Sequence, residues 1–266
     1  MIFKLKYFSY LLIISIFFIT SCSKYQRVLK SSDYNLKYDK AVEYYQNEDY
    51  FRALSLFEEI ITIYKGTSKG EQIYYYYCYC NYYQDDYILA GYHFKSFAFT
   101  FPYSKYKEEC DYMAAYCDYL NSPEYSLDQS YTVQAINAFQ LFIDNYPNST
   151  RIAECNNLID KLRYKLELKS FKNSKLYYDL EHYQAAITSI KNSLDDYPDS
   201  PFREDLMYML LQSNYYFDEN SITNKKKERY QNAVTEYYSL INEYPQSKYL
   251  DYAQKLYKDC VKELKY

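Results

Sequence analysis

From residue 35 onward, apolar positions recur at helical and not at strand spacing. Residues 37–45 (KYDKAVEYY), 72–83 (QIYYYYCYCNYY) and 249–266 (YLDYAQKLYKDCVKELKY) put large side chains three and four apart, with charges between them in the first and last, a helical pattern. A longer period lies over this one. Four turns of the form aromatic-Pro-x-Ser end at Ser104, Ser149, Ser200 and Ser247. Twelve residues before their prolines (Pro102, Pro147, Pro198, Pro245) stand Ala90, Ala135, Ala186 and Ala233, and eight before them Phe94, Phe139, Ile190 and Tyr237. Tyr87, Tyr183 and Tyr230 precede three of the alanines by three residues. A fifth copy lies upstream as Tyr50, Ala53 and Phe57, with Tyr64-Lys65 in place of aromatic-Pro.

An alanine and a large residue four later share one helical face, where the small side chain admits a close neighbour and the large one fills the gap beside it. Proline then stops the helix, and the serine two later has a hydroxyl able to cap the next one. The unit is a helix A, a tight turn, a helix B and a proline-serine turn. Ala41 and Cys78, twelve residues before Ala53 and Ala90, supply the small contact residue of helix A. This resembles the tetratricopeptide repeat, with Asp49 and Asp86 where a glycine often stands between the two helices. The prolines are 45, 51 and 47 residues apart, so the later repeats carry insertions. Residues 121–130 (NSPEYSLDQS) and 218–229 (DENSITNKKKER) are polar and read as extended A–B loops, while 149–180 lacks a breaker and reads as one long helix A. The expected fold is all-α: an α-solenoid of about five tetratricopeptide-like helix pairs, closed by a C-terminal capping helix with a polar outer face.

The first residues follow a different pattern. Lys4 and Lys6 precede a run of about 13 mostly apolar residues, and Ile19-Thr20-Ser21-Cys22 follows it, the layout of a secretory signal too short for a permanent span. The last four residues resemble the bacterial lipobox, in which the cysteine is acylated and becomes the new N-terminus. A plain signal peptide with a chance cysteine and a buried apolar helix are the alternatives. The expected organisation is a cleaved signal at 1–21, a lipidated tether at 22–34 and a repeat domain at 35–266, with several acyl chains on Cys22 holding the membrane.

Composition narrows the function classes. Removing Lys4 and Lys6 takes the formal charge from −4 to −6, and an acidic chain without a broad basic stripe is a poor nucleic-acid binder. Three glycines argue against glycine-rich phosphate loops, and no cofactor motif is found. Six cysteines follow Cys22 (Cys78, Cys80, Cys110, Cys117, Cys155, Cys260), with neither CxxC nor zinc spacing, so they read as core residues and no metal site is expected. His93 and His182 are the only histidines and belong to no catalytic motif. A non-enzymatic binding protein is the expectation.

Two surfaces are candidates for binding. In a stacked-helix solenoid, helix A lines the concave side. Positions three before and one and four after its small residue are Tyr38, Val42 and Tyr45 in the first repeat and Tyr75, Tyr79 and Tyr82 in the second, a wall able to hold an extended peptide. The competing reading is that tyrosine, at 42 residues, is this chain's default large side chain. The second candidate is the run Lys161, Arg163, Lys165, Lys169, Lys172 and Lys175 along the long helix, a local positive stripe suited to an acidic partner or a solvated face paired with Asp160 and Glu167.

Lipobox, short polar tether, five repeats with long later members and Y-x-x-A…F…YPxS motifs, in that order, resemble the BamD family of outer-membrane assembly lipoproteins. The resemblance covers the whole chain. It implies a scaffold subunit at the periplasmic face of the outer membrane, anchored by acyl groups on Cys22. Its N-terminal repeats would meet unfolded outer-membrane proteins, and its C-terminal repeats, with Arg163, Lys165, Lys169, Lys172 and Lys175, the periplasmic repeat domains of the barrel-forming subunit. Serine after the cysteine is compatible with onward sorting to that membrane. Other envelope repeat lipoproteins, for glycan capture or cell division, are the alternative; the absence of tryptophan speaks against stacking on sugars.

Overall fold

The structure, a computed structural model, describes residues 24–219 and 223–264; Cys22 and the signal segment lie outside them. Every regular element among the described residues is helical. A short helical turn over 24–29 is followed by α1 (Tyr34–Gln46), α2 (Tyr50–Ile60), α3 (Ser68–Tyr82), α4 (Tyr87–Thr100), α5 (Lys107–Asn121), α6 (Ser130–Asn145), α7 (Ile152–Asp179), α8 (Tyr183–Asp196), α9 (Arg203–Glu219), α10 (Thr223–Glu243) and α11 (Leu250–Leu264). These are the five expected A–B pairs and a closing helix, the tetratricopeptide type of α-solenoid. Two compact units divide the chain: residues up to 122 with 131–156, and 123–130 with the remainder from 157.

The repeated alanines lie in the core. Ala41, Ala53, Ala90, Ala135, Ala186 and Ala233 are all 0% exposed, as are Phe57, Phe94, Phe139 and Ile190 four residues past the B-helix alanines. Tyr237, the fifth such residue, is also buried. The six described cysteines are buried, and burial pushes the thiols of Cys80 and Cys117 up to about 12. They behave as small apolar core residues with unreactive thiols. In the first pair the buried Lys37 is held by an ion pair with Glu59, which keeps its charge compensated.

The turns are built alike. At each aromatic-Pro-x-Ser motif the serine N–H donates to the carbonyl three residues earlier: Ser104 to Phe101, Ser149 to Tyr146, Ser200 to Tyr197 and Ser247 to Tyr244, at 3.0–3.2 Å. Each serine Oγ then accepts from the N–H two residues on (Tyr106, Arg151, Phe202, Tyr249) at 3.0–3.3 Å. The serines therefore stand three residues before the first helical residue and steer the approach to the helix; they are not its N-caps. In the degenerate first copy the cap is Thr67, which accepts from Gly70 N–H.

The A–B turns differ from expectation by one residue. Asp49 and Asp86 do not occupy the left-handed position; they are N-caps, accepting from the N–H of Arg52 and Leu89. The left-handed residues are their predecessors Glu48 (φ 60°), Asp85 (φ 61°) and, in the fourth pair, Glu181 (φ 59°). Each lies in a Schellman closure, with the following N–H reaching back five residues, as in Asp49 to Tyr44, Asp86 to Asn81 and His182 to Tyr177, so the last carbonyls of helix A are satisfied. Of the two expected A–B loops, residues 122–129 do form a non-helical insertion, but α10 begins at Thr223. The segment 223–229 (TNKKKER) contains neither glycine nor proline and is mostly good helix formers, so it extends helix B instead.

A non-glycine residue in the left-handed region carries a steric penalty of about 1 kcal/mol. Glu48→Gly and Glu181→Gly are each expected to stabilise the protein by about 0.5–1 kcal/mol, measured by urea unfolding. Destabilisation by both would contradict the turn geometry described.

Candidate functional site

The innermost A-helix positions are 41, 78, 115, 174 and 211, all 0% exposed. Three residues before each stands an aromatic ring: Tyr38, Tyr75, Tyr112, Phe171 and Tyr208. Every one of these rings is covered by the side chain two residues past the Thr or Ser of the next turn. Lys69 Nζ lies 4.1 Å from the Tyr38 centroid, Tyr106 stacks on Tyr75 at 4.2 Å, and the Arg151 guanidinium lies 4.1 Å over Tyr112. In the second unit Phe202 stacks on Phe171 at 4.7 Å and Tyr249 on Tyr208 at 4.1 Å. The hydroxyl that holds the turn therefore also aims the next side chain, and each contact contributes about 0.5–1.5 kcal/mol.

The expected wall lies within this framework. Tyr75, Tyr79 and Tyr82 on α3 come together, with ring centroids 5.0 Å apart for the first two and 6.2 Å for the last two. Tyr45 on α1 joins them through Tyr83, at 6.4 Å, which in turn lies 5.7 Å from Tyr79. Tyr38 stands apart from that cluster, donating to Gln72 Oε1 at 2.9 Å. Tyr79 is a core residue: it is 8% exposed, lies edge-on to Phe94 and donates to Glu109 Oε1 at 2.6 Å. Glu109 also holds Arg151 at 2.8 Å, so a polar chain joins α3, α5 and the turn before α7. Tyr38, Val42, Tyr45, Tyr75 and Tyr82 are half-buried, each with part of its surface left at the solvent. Burial raises the tyrosine pKa values, to about 12 for Tyr74 and Tyr75 and further for Tyr45 and Tyr79, in Tyr79 with the Glu109 carboxylate adding to the effect.

At 100° per residue Lys161, Lys165, Lys169, Lys172 and Lys175 of the cation run fall on one face of α7, while Arg163 lies roughly on the opposite side. Lys169 Nζ donates to the Leu127 carbonyl in the 122–129 insertion, and Lys175 pairs with Asp179 at 2.6 Å. Lys165 is half-buried, and desolvation lowers its pKa. Arg163 and Lys172 are exposed.

His93 is half-buried, edge-on to the Tyr77 ring at 4.8 Å and 3.2 Å from the Tyr74 hydroxyl through Nδ1; burial lowers its pKa, making it a neutral aromatic at neutral pH. His182 precedes α8 and lines an open cleft of about 880 Å³ with Tyr177, Glu181, Thr188, Asn192 and Phe217. One further surface escaped the sequence reading. On the B helices of the first unit, Phe51 (69%), Ile88 (63%), Tyr92 (66%) and Phe99 (89%) are exposed apolar side chains. Phe51, Ile88 and Val133 each stand two before the repeat alanine, where the second unit has Gln184 and Gln231. Comparing that position through the repeats is the signal that reveals it.

Five capped helix pairs with side chains arrayed on successive A helices define a tetratricopeptide-like repeat protein. Among known families, the model of YfiO, described as an outer membrane lipoprotein, matches residues 31–216 and 175–264. The chain belongs to this family, which associates it with the outer membrane. The two matches overlap over residues 175–216, as a repeat array permits when it is aligned in two registers. No curated protein matches the chain. Among the described residues no helix is long and apolar enough to cross a membrane.

Two outcomes test this geometry. A double-mutant cycle on Tyr75→Ala and Tyr106→Ala, read by urea unfolding, should give a coupling of about 0.5–1.5 kcal/mol; additivity would contradict the stack. Tyrosine pKa values raised in the folded state favour the protonated ring, so this part of the stability is fully present below about pH 10. It is lost between there and the folded values, which are about 12 for Tyr74 and Tyr75. Unfolding free energy should fall steeply over that window, with part of the tyrosinate absorbance appearing only on unfolding.

Proposed function

We propose that this chain is a BamD-type, lipid-anchored scaffold of the machine that assembles β-barrel proteins in the outer membrane. The observation that carries this reading is the outer-membrane-lipoprotein family match, whose two segments run over all five helix pairs and the closing helix. In this proposal residues 1–21 are removed as a signal and Cys22 is acylated. The repeats then stand on the periplasmic side and offer surfaces to other proteins without carrying out chemistry. Unfolded barrel proteins meet the N-terminal repeats, where half-buried Tyr45, Tyr75 and Tyr82 present ring edges and hydroxyls to an extended chain. The barrel-forming subunit docks on the C-terminal repeats, where Lys161, Arg163 and Lys172 are the exposed members of the cation run.

Photo-crosslinking in intact membranes tests the assignment. A crosslinker at Tyr82 is expected to capture unfolded barrel substrates, and one at Arg163 or Lys172 the barrel-forming subunit. Tyr82→Ala should lower substrate capture from a neighbouring crosslinker several-fold with helical content unchanged. Substrate capture that is indifferent to Tyr82→Ala, or crosslinks that exchange places between the two regions, would contradict the proposal.

A further inference from the structure

The chain reaches Cys22 over almost no free length. Tyr25 is 9% exposed; its ring lies edge-on to Tyr44 at 5.9 Å and 5.7 Å from the Arg52 guanidinium. Val28 and Leu29 pack on the same cluster, so the helical turn over 24–29 is fixed to the first helix pair. Lys24 is two residues from Cys22, a reach of at most about 7 Å in extended chain. Lys24, Arg27 and Lys30 are exposed. At 100° per residue Arg27 and Lys30 lie opposite the side formed by Tyr25, Val28 and Leu29. No acidic residue occurs from 23 to 32, although the chain as a whole carries a net charge of −4.

We propose that the face carrying Lys24, Arg27 and Lys30 rests on an anionic phospholipid surface and fixes which side of the first helix pair meets the membrane. The proposal rests on the acylation of Cys22 in the function proposed above. Acyl groups supply the affinity; the cations supply orientation. A leash of about 7 Å is no longer than the screening length at physiological salt, about 8 Å, so the ammonium and guanidinium groups stay within range of head-group charge. With Tyr25 docked in the core, the first repeat stays within that leash of the surface unless that packing is given up. The buried anchor and the exposed cations lie on opposite sides of a single turn, the arrangement of a small amphipathic segment whose apolar side is already occupied by protein.

The test uses the full lipidated chain in vesicles of phosphatidylcholine, with and without phosphatidylglycerol. A water-soluble amine reagent is added, and modification at each lysine is followed by peptide mass spectrometry. Lys24 and Lys30 are expected to react several-fold more slowly on the anionic vesicles than on the neutral ones, the difference disappearing at high salt. Lys258, exposed on α11, should react equally on both and serves as the internal control. Equal rates at Lys24 and Lys30 on the two vesicle types would overturn the proposal, as would crosslinking of these lysines mainly to a protein in native membranes. The same spectra report the mass at Cys22: an unmodified cysteine would remove the anchoring on which the proposal stands, and is recognised separately from equal rates.

Discussion

The repeat alanines set the distance between paired helices, and the rest of the molecule is arranged around that contact. Ala41 against the first B helix, and Ala53, Ala90, Ala135, Ala186 and Ala233 against their partners, are wholly excluded from solvent. A larger side chain at any of them would force helices apart in an interior already at crystal-like density. With helices that close, large residues four positions on have a defined hole to fill, and Phe57, Phe94, Phe139 and Ile190 fill it completely. The pair is thus a rigid unit, and the variable element is how one pair follows the next.

That junction depends on a small device used five times. A hydroxyl from Ser104, Ser149, Ser200 or Ser247 holds the N–H two residues on, and that of Thr67 the N–H three residues on; in all five the side chain two residues beyond the hydroxyl lies on a ring of the preceding A helix. Nature varies the partner freely, with lysine, tyrosine, arginine, phenylalanine and tyrosine in succession, because a cation and an aromatic plane both complement the face of a ring. The insertions at 122–129 and in the long α7 leave this contact in place. Conserving the junction while lengthening the helices lets a solenoid carry new surface without losing its register.

Most of this organisation was legible in the sequence, because period and punctuation are local. The proline-serine turns, the alanines, the long α7 and the closing helix all follow from residue spacing. What spacing did not reveal was conformation at single residues and contact across repeats. The left-handed position fell on Glu48 and Asp85 and not on the neighbouring aspartates, since the Schellman closure is decided by backbone hydrogen bonds that leave the next residue to cap. The polar run 218–229 reads as a loop, yet residues 223–229 favour a helix once no breaker interrupts them. Tyr38 and Tyr75 stood out as wall residues, but position alone could not show that a side chain from the following turn lies on each ring. Cys22 lies outside the described residues, and the Tyr25 docking beside it was likewise invisible, because three apolar residues in a short segment carry no periodicity.

In the function proposed above, this outer-membrane lipoprotein works by holding other proteins together during barrel assembly. Affinity capture of the lipidated chain from gently solubilised membranes tests it most directly. The proposed function predicts recovery, in near-stoichiometric amount, of a large outer-membrane barrel protein bearing periplasmic repeat domains. Recovery of the chain with no such protein, or with a peptidoglycan-processing or glycan-import partner in its place, would contradict it.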